Sequence, residues 1–185
     1  MTFETRSVFP VITRALWQGP LALGLCTLAL VAVGFRAEVV GLLYLATVTP
    51  ELCRTDVTAH RLPNALVLPG YAITATGLVF GWLRTGQVPV GPAIAGCATF
   101  GFLLLLSLGG GMGMGDVKLG GLLGLNLGSI TVMASIAGPV IGFVAGGIAG
   151  LIALVVPGSG ALRRIPFGPY LLFGFWSAST LPLLG

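Results

Sequence analysis

The chain has 185 residues, 56% of them hydrophobic and only 8% charged, with a mean hydropathy of +1.04. Soluble domains carry about 25% charged residues, so composition excludes an ordinary water-soluble domain and points to a polytopic membrane protein built as one bundle. The net charge of +4 comes from nine basic residues scattered between apolar runs, a pattern that orients a protein in a bilayer, and no nucleic-acid partner is expected.

Residues 1–15 are mildly amphipathic, with Phe3, Val8, Phe9 and Ile12 against Glu4, Arg6 and Arg14. They are expected to lie on the membrane surface. The apolar run starts late and no small-residue cleavage site follows before Arg36, so a cleaved signal peptide is not expected. Spans are expected at about 16–35, 37–53, 66–83, 88–108, 117–128, 130–156 and 167–184. Thr49-Pro50-Glu51 reads as a helix restart, which would break the second span near its end. Arg54–Asn64, RTDVTAHRLPN, reads as a polar connection. The forty residues from Val117 to Val156 carry one charge, Lys118, and would make a single helix of about 60 Å, twice a ~30 Å hydrocarbon core. A fold-back near Asn126–Ser129 is therefore expected. Residues 157–166 read as a loop. The whole chain, 1–185, is expected to be a single membrane-embedded domain, an all-α bundle of about seven helices.

Seven spans place Arg6, Arg14, Arg54, Arg61, Lys118, Arg163 and Arg164 on one side and Arg36 and Arg84 on the other. Seven cations against two make the first side, with the N-terminus, cytoplasmic. Gly138, Gly142, Gly146 and Gly150 recur every four residues and form a close-packing face.

The chemistry concentrates in Gly109–Gly121, GGGMGMGDVKLGG. Asp116 and Lys118 are the only charges between Arg84 and Arg163. An acid in hydrocarbon costs about 2.5–3.5 kcal/mol on insertion scales, so it is kept where water or a partner reaches it. The chain has one other aspartate, Asp56, and span parity puts both at the cytoplasmic face. Two neighbouring carboxylates share a proton. One can then act as base on a water while the other polarises a peptide carbonyl. Alone, Asp116 could equally cap a helix. Glu51 fits the capping role better than a third catalytic acid, and His60 and Arg61 fit the loop or lipid headgroups. No GxSxG elbow and no phosphate-loop GK[ST] ending occurs. Cys26, Cys53 and Cys97 form no CxxC, and His60 is the sole histidine, so packed thiols are expected and no metal or cofactor.

Three segments together carry a resemblance. Gly113–Leu119, GMGDVKL, resembles the GxGDxKL form found in type IV prepilin peptidases, which are membrane aspartic proteases. Asp56–Asn64, DVTAHRLPN, resembles the other half of that family's signature, and Ile165–Leu171, IPFGPYL, resembles the segment that opens its last helix. The resemblance implies catalytic roles for Asp56 and Asp116, motif roles for Gly113, Gly115 and Lys118, and a helix-starting role for Pro63 and Asn64. It implies cleavage of the basic leader from prepilin or pseudopilin substrates whose apolar helix stays in the bilayer, at the inner face of a bacterial cytoplasmic membrane. Full-length members carry a further N-terminal helix and a domain with paired CxxC motifs. This chain has no such cysteines, so it resembles the short branch associated with tight-adherence pili and methyl transfer is not expected. The alternative is a transporter that moves a proton or cation with the paired acids.

Overall fold

The computed structural model describes residues 9–155 and 166–183, with side chains at 18–154 and 166–183. Residues 157–165 of the loop expected at 157–166, with Arg163 and Arg164, lie outside the described residues, as do residues 1–8 of the expected surface segment. Among the described residues there are seven α-helices: α1 (Phe9–Val33), α2 (Val39–Ala59), α3 (Asn64–Thr85), α4 (Val90–Leu108), α5 (Met114–Ile130), α6 (Val132–Val155) and α7 (Gly168–Ser179). A short 3₁₀ turn, Leu181–Leu183, follows. By length and composition α3, α4 and residues 132–154 of α6 are long and apolar enough to cross a membrane, and residues 18–33 of α1 form a shorter apolar helix. The molecule is a helical membrane bundle.

Several boundaries differ from expectation. Helix α1 starts at Phe9 and runs past residue 16 without a break. Helix α2 is not broken at Thr49-Pro50-Glu51. Pro50 has no N–H for the Ala46 carbonyl, which ordinarily weakens a helix interior. The helix nevertheless continues, and beside the proline the Thr49 hydroxyl donates to the Leu45 carbonyl at 2.6 Å and accepts from Trp176 Nε1 on α7 at 3.1 Å. Glu51 does not act as a cap, because its carboxylate pairs with Arg54 at 2.5 Å and accepts from Gln18 at 2.9 Å. The helix therefore runs on through Arg54–Ala59, half of the expected polar connection. It stops at His60, which is left-handed (φ 51°) and donates its backbone N–H to the Asp56 carbonyl at 2.9 Å.

The fold-back between α5 and α6 falls at Thr131 rather than at Asn126–Ser129. Thr131 is extended, and its hydroxyl accepts the Ala134 N–H at 3.0 Å, capping α6. Asn126 is instead fully buried inside α5, donating to Thr74 Oγ1 at 3.0 Å and the Leu122 carbonyl at 2.9 Å. Helix α7 ends at Ser179, short of the expected 184; Pro182 has no N–H for the Ala178 carbonyl, and the chain tightens into the 3₁₀ turn Leu181–Leu183.

Helix α5 forms the axis and packs against α3, α4, α6 and α7. Its seam with α4 is made of small residues. A β-carbon on Gly124 would sit 2.7 Å from the Ala95 carbonyl oxygen, and one on Gly128 would sit 2.7 Å from Ala95 Cβ. The glycine face of α6 packs on α7: Gly142 lies against the Tyr170 carbonyl and Gly146 against the Phe167 ring. One end of the bundle gathers the end of α2 and the starts of α3, α5 and α7. The other gathers the α1–α2, α3–α4 and α5–α6 connections.

Candidate active site

Two chain reversals at one end of the bundle build the site. At the first, α2 carries Asp56 on its last turn and is closed by His60; Pro63 in extended conformation then starts α3. The Asp56 side chain is buried, 5% exposed, and its Oδ2 accepts the Gly168 backbone N–H at 2.8 Å. Gly168 is the first residue of α7, and a β-carbon there would lie 2.8 Å from the same oxygen. The carboxylate thus rests on a helix N-terminus that only a glycine lets it reach.

At the second reversal, α4 gives way to α5 through Gly109–Gly113. Gly110 takes φ +78°, a conformation glycine adopts freely, and the Ser107 hydroxyl holds the turn by donating to the Met112 carbonyl at 3.0 Å. Gly113 is extended, and Asp116 follows in the first turn of α5, its N–H on the Gly113 carbonyl at 3.1 Å. Asp116 Oδ1 is buried and bonds no other atom among the described residues.

Both acids line one cavity of about 520 Å³, together with His60, Met112, Phe167 and the Gly110–Gly113 strip. Both also lie outside the expected spans of 37–53 and 117–128. Burial pushes the Asp116 carboxyl up to about 6, the charge of Asp56 adds to the rise, and the Gly113 backbone N–H partly offsets it. Burial also raises Asp56, while the Gly168 N–H and the charge of His60 pull it back. Both acids are stripped of water and each accepts a backbone N–H, but one oxygen of Asp116 is left with no donor.

The remaining expected site residues support the walls. Lys118 Nζ donates to Asn64 Oδ1 at 3.2 Å, and the Tyr71 hydroxyl donates to the Lys118 carbonyl at 2.7 Å, so this pair ties α5 to α3. Gly115 packs on Leu62, where a β-carbon would come within 3.1 Å. Of the motif residues, Gly113 lines the cavity with the acids, whereas Gly115, Lys118, Pro63 and Asn64 do not. The sequence places His60 in a loop and Gly168 in the segment that opens the last helix, yet both meet Asp56. The signal for Gly168 was the IPFGP segment itself. No cluster of three or more His, Cys, Asp or Glu suited to a metal occurs among the described residues.

Fold and site define a class: polytopic helical membrane proteins with two acids facing one cavity at a single end of the bundle. Residues 43–156 match the model of the type IV leader peptidase family, more than half of the chain, and the chain belongs to that family. Prepilin leader peptidase/N-methyltransferases of Aeromonas salmonicida, including strain A449, are 35% identical over 150 residues. The match takes in 74% of this chain and 47% of those proteins, so the chain spans about half the length of the curated relatives it matches. No solved structure matches it.

Proposed function

We propose that this chain is an aspartic endopeptidase that removes the leader from prepilin-like proteins at the cytoplasmic face of a bacterial inner membrane. The observation that carries the reading is the meeting of Asp56 and Asp116 on one cavity, though sixty residues separate them in sequence. Family membership supports the substrate class. In this reading one carboxylate takes a proton from water, whose oxygen attacks the carbonyl carbon of the leader junction. The other, protonated, carboxyl donates to the carbonyl oxygen. Collapse breaks the C–N bond, and the departing amine takes up a proton from the pair. A basic leader in the cytoplasm and an apolar helix in the bilayer bring the junction to the level of the acids.

The test is cleavage of a co-expressed prepilin by wild type, Asp56→Asn and Asp116→Asn, followed by N-terminal sequencing. Wild type should cut after the leader, and each variant should accumulate to normal levels and cut at least ~100-fold more slowly. Cleavage by either variant at the wild-type rate would end the two-aspartate mechanism. Proton flux in liposomes without cleavage would replace it with the transport reading.

A further inference from the structure

We propose that Gly168 is a positioning residue: its backbone N–H and its missing β-carbon hold Asp56 as the carboxylate base and leave the shared proton on Asp116. The proposal rests on the aspartic-peptidase reading and assigns the two roles within it.

Four observations converge. Gly168 N–H reaches Asp56 Oδ2 at 2.8 Å from a position 112 residues away. This N–H is among the first of α7, where the backbone amides carry no intrahelical partner and the helix dipole is positive, so the charged form of the acceptor is favoured. The approach leaves no room for a side chain, since a β-carbon would stand 2.8 Å from Oδ2 and 3.2 Å from Cγ. Asp116 also lies in a first helical turn and takes the Gly113 N–H, but its buried Oδ1 has no donor on it, a setting that disfavours charge and suits a neutral carboxyl able to donate.

The groups facing Asp56 point the same way. His60 on its own helix lines the same cavity and adds a charge that favours the ionised acid. Helix α5 presents Asp116, and α7 presents the Gly168 amide. The α7 amide, outside both aspartate motifs, therefore adds to an asymmetry that the burial of Asp116 begins.

The experiment compares wild type, Gly168→Ala and Gly142→Ala for cleavage of a prepilin peptide across pH in detergent. Gly142→Ala tightens α7 against α6 at Tyr170 and Leu171 without touching Asp56, so it controls for disturbed packing. Gly168→Ala should lower kcat about 10-fold or more with KM within about twofold, and move the acid limb of the pH profile up by roughly half to one unit, because the weakened bond releases Asp56 to hold its proton. Gly142→Ala should leave the acid limb in place. A Gly168→Ala enzyme with the wild-type acid limb would overturn the proposal.

Infrared titration of the carboxyl band gives a second measurement that needs neither cleavage nor the Gly168 variant to fold. Subtracting the Asp56→Asn/Asp116→Asn double variant removes the bands of Glu4, Glu38, Glu51 and the C-terminus, so that Asp116→Asn protein then reports Asp56 and Asp56→Asn protein reports Asp116. Asp56 should ionise at the lower pH, and the reverse order would also overturn the assignment. Cleavage by Asp56→Asn at the wild-type rate, by contrast, would sink the peptidase reading beneath it.

Discussion

A carboxyl group held near neutrality by burial is a liability to the fold whenever it is ionised. Asp116 illustrates the cost. Its folded value of about 6 lies above the ordinary 3.8, so between those values the folded chain binds more protons than the unfolded one. Stability must then fall as pH rises from 4 to 6, and the loss persists above 6. The shift of about two units, discounted for partial exposure, corresponds to roughly 2 kcal/mol. Asp116→Asn should therefore raise the unfolding temperature in detergent by roughly 4–8 °C at about pH 7.5. The gain should vanish near pH 4, where the native acid is neutral too. A variant no more stable than wild type at neutral pH would show that Asp116 carries its charge without penalty. A stabilised but inactive enzyme is the expected signature of an acid kept for chemistry.

At the scale of helices, stability depends on how closely backbones approach. Gly174 on α7 faces the backbone of Gly138 and Gly142 on α6, and a β-carbon there would overlap the Gly138 carbonyl oxygen and sit 2.5 Å from the Gly142 nitrogen. Neither neighbour is a side chain that could swing away. Gly174→Ala should cost at least about 1–3 kcal/mol, seen as a lower unfolding temperature. Gly147, also within α6, has nothing within 4 Å of its would-be β-carbon, so Gly147→Ala should gain about 0.5–1 kcal/mol from helix propensity alone. Equal effects at the two sites would mean that the α6–α7 seam is not tight. The spacing of Gly138, Gly142 and Gly146 announced this seam in the sequence, because a small-residue stripe on a helix has a local period. Thr49-Pro50 did not announce its continuity. The Thr49 hydroxyl beside the proline is bonded to Trp176, 127 residues away, and local caps and breakers hold no information about such a partner. The amide that meets Asp56 is 112 residues away and was hidden in the same manner.

Across the whole molecule, the described cations divide between the two ends. Arg54, Arg61 and Lys118 accompany the acids, whereas Arg36 and Arg84 line a cavity of about 670 Å³ at the opposite end with Glu38 and Trp82. Span parity could anticipate this division because it depends only on the order of apolar runs and charges, and it tolerates the boundary errors at α2 and α5. It could not anticipate that the acids share a cavity, which depends on how α2, α5 and α7 converge. The division sets the orientation to be tested, since cations gather on the cytoplasmic side. With the native cysteines replaced, Gln87→Cys in the α3–α4 connection and Thr58→Cys near Asp56 are both exposed positions at opposite ends. A membrane-impermeant thiol reagent should label Gln87→Cys in right-side-out vesicles and Thr58→Cys only in inverted ones. The opposite pattern would place the acids outside the cell, beyond the reach of a leader that stays in the cytoplasm. The peptidase reading would then lose its substrate even with both aspartates in place.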